Sequence, residues 1–295
     1  MTDRYRDAAA LRRALEDRLK QAADDSGTDL ARRRRLIVFD RLAVRLAADS
    51  VGGWVLKGGA VMEFRLRGKA RTTKDMDLAA RPDGDFCLDG DGVRELLIEA
   101  LAVDEDGDGF QFRVSTPTDL TADVAGRGGW RFSVEARLAG RLFAGVRVDV
   151  VDRGEEIALT ERLPLPNTLD FAGTPQRDIE VVDRRQHFAE KLHALTRDYG
   201  SRSNTRVKDL VDLVLLIETG LEANGGLADA VWHVFAVRDT HEVPRTIPDL
   251  PPGWDQTYPE IAEGLTTIPN KLDAALTLLR EFWTKASNDR HKKKD

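Results

Sequence analysis

The chain has 295 residues, of which 41% are hydrophobic and 33% charged, with a formal net charge of −6 and one cysteine, Cys87. This balance belongs to a globular protein of one large domain or two, and excludes a fibrous or low-complexity chain. A single cysteine excludes an internal disulfide, no apolar run is long enough to span a bilayer, and the acidic total does not suggest binding to nucleic acid by bulk charge.

The stretch MTDRYRDAAALRRALEDRLK is charged throughout and has no apolar core, so it does not read as a secretory signal. With the lone cysteine, this points to the cytoplasm. Residues 6–24 and 29–49 read as helices, the second with Leu36, Ile37, Phe39, Leu42, Ala43 and Leu46 near helical spacing. Arg32 to Arg35 form a basic block that circles this helix, so at least one of the four faces away from any single partner. A solvated face and a basic contact surface both remain open for it.

Trp54-Val55-Leu56 is a short apolar run that stops at Gly58-Gly59, and residues 60–66 look helical. Residues 72–80 read as a strand, with Met76 and Leu78 on one face and Asp75 and Asp77 on the other. An acidic, glycine-rich loop follows over 82–92, with Asp83-Gly84-Asp85 and Asp89-Gly90-Asp91 as turns and Cys87 between them. A helix is predicted over 92–103, ended by the turn Asp104 to Gly109. Residues 110–118 and 130–152 look like strands, with a hairpin turn at Leu138 to Arg141. Val146, Val148 and Val150 alternate with Arg147 and Asp149, which puts Asp149 on the face opposite the valines.

Pro164 and Pro166 make 161–173 read as a connection. From 184 onward helices are predicted over 184–199, 206–219, 226–237 and 268–286, with a proline-rich loop at 239–259. Composition shifts near 180. The expectation is an α/β domain over 1–180, a mixed sheet flanked by helices, and a helical domain over 181–295 that completes an active-site cleft.

Nucleotide transfer builds charge on the attacked phosphate, and divalent cations can clamp the attacking and leaving oxygens. Mg²⁺ takes hard oxygen ligands, usually a few carboxylates plus substrate phosphates. Asp75 and Asp77, at i and i+2 on one strand, project to the same side and can share metal, and Asp149 is the candidate third carboxylate. A glycine turn that opens a helix offers free N–H groups and a favourable dipole to a triphosphate. Lys57-Gly58-Gly59 fits that cradle, and Thr72 and Thr73 add hydroxyl donors.

LKGGAVMEFRLRGKARTTKDMDLA (56–79) resembles the start of the AbiEii/AbiGii toxin family, the MenT-like nucleotidyltransferases of the polymerase-β superfamily. AEKLHALTRDYGSRSNTRVKDLVDLVLL (189–216) resembles that family's later motifs, a helix bearing a lysine followed by Lys-Asp-x-x-Asp on the next helix. Where the superfamily usually has Gly-Ser, this chain has Gly58-Gly59, and fifteen residues separate Gly59 from Asp75.

The resemblance implies a minimal nucleotidyltransferase fold followed by a helical domain. It implies Mg²⁺ on Asp75 and Asp77, with a nucleoside triphosphate (NTP) as co-substrate. It assigns Lys191 to the nucleotide phosphates, Asp209 to a catalytic or positioning role, and Arg206 and Lys208 to phosphate contacts. It implies a toxin of a toxin–antitoxin or phage-defence system that transfers nucleotides to the 3′ end of tRNA and blocks translation. It also implies a cognate antitoxin encoded nearby. An enzyme with a protein or small-molecule acceptor, and a binding module that keeps the fold without catalysis, are the alternatives.

Without the resemblance, Lys191 would be a lysine laying its stem on apolar surface. Asp209 and Asp212 lie on a helix that is apolar on most sides and so need partners, which Arg206 and Lys208 supply at helical spacing. His193 falls on the polar side of its helix and is expected to face solvent. Trp232, Phe235, Phe282 and Trp283 are expected in the core.

Overall fold

The computed structural model describes residues 4–26, 29–81, 89–120, 128–151, 154–200, 203–267 and 270–292. Cys87, the turn Asp83-Gly84-Asp85 and the terminal Lys293-Lys294 lie outside the described residues. The chain forms two compact units. The first comprises 1–65, 72–154 and 162–181, and the second 66–71, 155–161 and 182–295.

The first unit is built on α1 (Ala8–Ser26), α2 (Leu30–Ala48), β1 (Val55–Lys57), α3 (Gly58–Leu66), β2 (Asp75–Ala79), α4 (Gly90–Ala102), β3 (Phe110–Val114), β4 (Thr118–Leu120), β5 (Gly129–Leu138), β6 (Arg141–Val151), β7 (Thr160–Pro164) and β8 (Asp178–Val182). The strands make one mixed sheet in the order β3-β5-β6-β2-β1-β8-β7, with β4 beside β5. β2 runs parallel to β6 and antiparallel to β1, and β1 runs parallel to β8.

Period-two alternation divides the sheet into two faces. Met76, Leu78, Phe132, Val134, Val148 and Val150 are buried in a core with Val38, Phe39, Leu42 and Leu46 of α2 and Val93, Leu97 and Leu101 of α4. The other face of β3, β5 and β6 is open, as an antiparallel sheet layered on one side allows. Gln111, Arg113, Ser133, Glu135 and Arg147 are exposed there.

β7 lies at the start of the stretch 161–173 that was expected to be a connection, and β8 follows that stretch where no element was expected. β8 alternates buried Ile179 and Val181 with Asp178 and Glu180, and β7 ends at Pro164, which fits a sheet edge where no further ladder bond is required. Asp89-Gly90-Asp91 is not a free turn. Asp89 caps α4 by accepting a hydrogen bond from the Gly92 N–H, and Gly90 and Asp91 form the first turn.

The turn Asp104 to Gly109 has a packing role that its composition does not announce. Asp108 takes Arg45 of α2 in a two-pronged pair at 2.6 and 2.9 Å, Asp104 adds a contact to Arg45 at 3.0 Å, and Arg41 reaches Asp106 at 3.4 Å. Two arginines can thus be buried because carboxylates arrive with them. Burial works against the Arg45 charge, but the Asp108 hydrogen bond together with the charges of Asp108, Asp104 and Asp106 outweighs it and holds the guanidinium above its ordinary value.

The second unit contains α5 (Arg184–Thr196), α6 (Val207–Glu218), α7 (Gly225–Arg238), α8 (Trp254–Ala262) and α9 (Leu272–Lys292). α6 is buried on nearly all sides, and Phe235 and Trp283 join the core. α8 replaces the end of the expected proline-rich loop. Trp254 and Tyr258, one turn apart, are both buried, and Pro259 is accommodated inside the helix.

His193 is not on a solvated face. It is 2% exposed, packs edge-on against Phe235, receives the Arg238 Nη1–H on Nδ1 at 3.1 Å and lies 2.8 Å from the Thr240 hydroxyl. Arginine can only donate, so Nδ1 accepts and the ring is the neutral tautomer with its proton on Nε2. Burial, then the Arg238 charge and His241, push its pKa down to about 3 from 6.5. Below 6.5 the unfolded chain takes a proton that the folded chain refuses, so this contribution is intact above 6.5 and is lost as pH falls toward 3. Stability in urea should therefore decline on acidification through this window, with a shallower decline in His193→Gln. Equal slopes in the two proteins would refute the assignment.

Candidate functional site

The open face of the first unit carries a cross-strand row of charge. Lys57 of β1 pairs in register with Asp77 of β2, Asp77 with Asp149 of β6, and Asp149 with Arg131 of β5. The next row places Asp75 beside Arg147 and Arg147 beside Ser133. The structure thus brings Asp75, Asp77 and Asp149 together on one face, with three cations interleaved.

The contacts are specific. Arg131 grips Asp149 with two bonds, Nε to Oδ1 at 2.8 Å and Nη2 to Oδ2 at 2.6 Å, and Arg147 Nε donates to Asp75 Oδ1 at 2.5 Å. The hydrogen bond to Asp149 is the main reason that the Arg131 guanidinium sits above its ordinary value, and burial, which opposes it, is offset further by the charges of Asp149, Asp75 and Asp77. Sequence reasoning missed Arg131 and Arg147. The position of Arg147 two residues before Asp149 was a usable signal, since both must face the same way. Arg131 had none, because its pairing depends on hairpin register.

The glycine turn is shaped by its neighbours. Gly58 has φ +63° and opens α3, and a Cβ there would lie 1.9 Å from Asp77 Oδ2. Only glycine accepts both that conformation and that approach. A Cβ on Gly59 would meet Thr73 Oγ1 at 2.7 Å, so the threonine hydroxyl occupies the space of a side chain at position 59. Thr73 Oγ1 also donates to the Asp75 carbonyl at 3.3 Å. Lys57 is buried.

The second unit gathers Lys191, Asp209 and Asp212 with Arg71, another residue that sequence reasoning missed. Lys191 Nζ lies 2.6 Å from Asp212 and 3.1 Å from Asp209, and Arg71 Nη2 lies 2.7 Å from Asp212. Asp212 is fully buried and takes these partners in place of the expected Lys208, which is exposed. Burial disfavours the Lys191 charge, but Asp212 and Asp209 outweigh it and hold the ammonium above its ordinary value. Arg206 lies 3.8 Å from Asp209 and donates from Nε to the Tyr199 hydroxyl at 3.1 Å.

No three His, Cys, Asp or Glu side chains among the described residues are grouped to hold a metal by themselves. The hard oxygens of Asp75 and Asp77, side by side at the glycine turn, fit a cation that arrives with substrate phosphates as its remaining ligands. No helix among the described residues is long and apolar enough to cross a membrane.

Residues 41–285 match the family model described as nucleotidyl transferase AbiEii toxin, type IV toxin–antitoxin system. Two crystal structures are similar. One is a nucleotidyltransferase candidate from H. pylori, at 13% identity and TM-score 0.43, covering 90% of this chain and 96% of that one. The other is an antigenic nucleotidyltransferase-like protein from Paracoccidioides brasiliensis, at 16% identity and TM-score 0.41, covering 69% of this chain and 88% of that one. A search of curated protein sequences gives no match.

Proposed function

The chain belongs to the AbiEii nucleotidyltransferase toxin family of type IV toxin–antitoxin systems, and from that premise we propose that it transfers a nucleoside monophosphate from an NTP to the 3′ end of tRNA, blocking translation in the cytoplasm. The observation that carries the reading is the carboxylate row against the glycine turn. Asp77 is in register with both Lys57 and Asp149, Asp75 is two residues away on the same face, and Gly58 is packed onto the Asp77 carboxylate.

In this reading the triphosphate lies at the opening of α3, where unpaired N–H groups face an anion. Lys57 supplies a compact positive charge. Thr73 supplies the hydroxyl that the superfamily takes from a serine after the first glycine, because its Oγ1 fills the space that such a side chain would need. Asp75 and Asp77 would hold Mg²⁺, with Asp149 adjoining. When bound, the metal supplies neutralisation of charge developing on the transferring phosphoryl group.

The acceptor 3′-hydroxyl oxygen forms the new bond to the α-phosphorus as its proton passes to solvent, the bond from that phosphorus to the bridging oxygen breaks, and pyrophosphate leaves. We assign Asp209 to orienting reacting groups, held in place by Lys191, and Lys191, Arg206 and Lys208 to substrate phosphates. Membership of the family implies a cognate antitoxin.

The test is label transfer. The protein is incubated with deproteinised total tRNA, Mg²⁺ and each α-³²P-labelled NTP in turn. Label is expected at the RNA 3′ end with at least one NTP and is expected to be absent when the label is on the γ-phosphate. No transfer from any of the four NTPs would overturn the reading.

A further inference from the structure

Beyond the carboxylates, the open face continues along β3, β5 and β6. Strand register arranges its side chains in rungs. Arg147 lies between Asp75 and Ser133, the next rung holds Arg113 and Glu135, and the one after holds Arg137 and Gln111. An offset between β5 and β6 at Ala136/Arg137 keeps Arg137 opposite Leu142, which is 51% exposed.

We propose that this face is the surface on which the sugar–phosphate backbone of the RNA acceptor lies, with Arg113 and Arg137 as phosphate contacts that lead the strand toward Arg147 and Asp75. The inference rests on the RNA-transfer reading and adds the position of the acceptor to it.

Three observations support it. First, the chain carries a net charge of −6, yet these three rungs hold three arginines and one glutamate apart from Asp75. Positive charge is concentrated where a polyanion would approach. Second, one arginine falls on each rung, and successive rungs are about 7 Å apart, two residues of strand. An extended RNA strand presents one phosphate per nucleotide and can meet such a ladder with successive phosphates. Third, Arg113 is exposed and its side chain has no hydrogen bond or ion pair among the described residues, while Arg137 donates to the Gly140 carbonyl at 2.9 Å and is only loosely paired with Glu135, at 3.5 Å. Both can therefore offer N–H donors to phosphate without breaking a buried pair.

The face suits a backbone better than a base. It offers guanidinium groups and short polar side chains, and no exposed aromatic ring from β5 on which a base could stack.

The experiment measures binding of the full chain to deproteinised tRNA by fluorescence anisotropy over a range of KCl concentrations. Neither Arg113 nor Arg137 belongs to the assigned catalytic or nucleotide-binding residues. The double variant Arg113→Gln/Arg137→Gln is expected to bind roughly tenfold more weakly at low salt, with a slope of log affinity against log salt shallower by about 1.4. Binding of NTPs, read by thermal shift, should be unchanged. Glu135→Gln should tighten RNA binding, a change of opposite sign that misfolding cannot imitate.

Unchanged affinity and slope in the double variant, or weaker binding in Glu135→Gln, would overturn the proposal. Loss of NTP and RNA binding together in the double variant would do the same. Label transfer by the wild-type chain is scored separately. Failure of transfer with variant-sensitive RNA binding removes the proposed reaction and keeps the surface, and the reverse result removes the surface alone.

Discussion

Replacing either Asp75 or Asp77 by asparagine is expected to lower nucleotide transfer to RNA by at least roughly 10³-fold, because metal-assisted stabilisation of phosphoryl transfer is worth several kcal/mol. Asparagine keeps the shape of the side chain and removes its charge. Asp77 needs that shape, since its Oδ2 lies against Gly58. Asp75 needs its charge, since Arg147 donates to it at 2.5 Å and would otherwise have no carboxylate in its row. The unfolding midpoint should change little for either variant, which separates lost chemistry from lost structure.

Asp149→Asn ranks the third carboxylate. Both oxygens of Asp149 are engaged by Arg131, so a smaller fall than for Asp75→Asn would mark it as the anchor of Arg131, and an equal fall as a metal ligand. Transfer by Asp75→Asn at the wild-type rate would remove the carboxylate row from the mechanism.

Asp212→Ala is expected to destabilise the chain by about 3–5 kcal/mol, the range for removing one partner from a buried ion pair. Asp212 is fully buried and is the shared anchor of Lys191 at 2.6 Å and Arg71 at 2.7 Å. Without it Lys191 keeps Asp209 but loses its shorter contact, and Arg71 loses its pair at 2.7 Å, in a low-dielectric interior. The Lys191 ammonium is held above its ordinary value of 10.5, so its contribution is complete below that pH and fades only as alkali titrates the folded form. The loss should therefore be nearly the same at pH 6 and pH 8. Urea denaturation measures it, and a loss under about 1 kcal/mol would show that the pair is no stronger than a surface one.

The strongest sequence signals were those set by local period. Met76 and Leu78 against Asp75 and Asp77 is a two-residue alternation, and the structure buries the first pair and leaves the second partly open. The break at Gly58-Gly59 was visible because nothing else terminates an apolar strand so abruptly, and α3 begins there. What the sequence hid depended on distance along the chain. Arg131 and Asp149 meet only because a hairpin fixes their register. For Asp212, helical spacing offered Lys208 as the partner, yet burial delivered Lys191 and Arg71 from elsewhere. His193 looked polar on a helical wheel, and its hydrogen-bond partners, Arg238 and Thr240, lie beyond the reach of any local pattern.

The interleaving of the two units bears on how the molecule can be made. Residues 66–71 and 155–161 belong with the helical unit although they precede it by a long stretch of chain. A ribosome that has finished residue 181 has therefore already joined Arg71 and Glu156 to the chain, while their partners Asp212 and Arg238 do not yet exist. Neither a fragment ending near 181 nor one starting there carries a complete helical unit. A frameshift or early stop between residue 156 and α6 removes both Asp212 and Arg238. In a chain of a toxin family, the ion pairs that close the helical unit are therefore complete only once α6 and α7 have been translated.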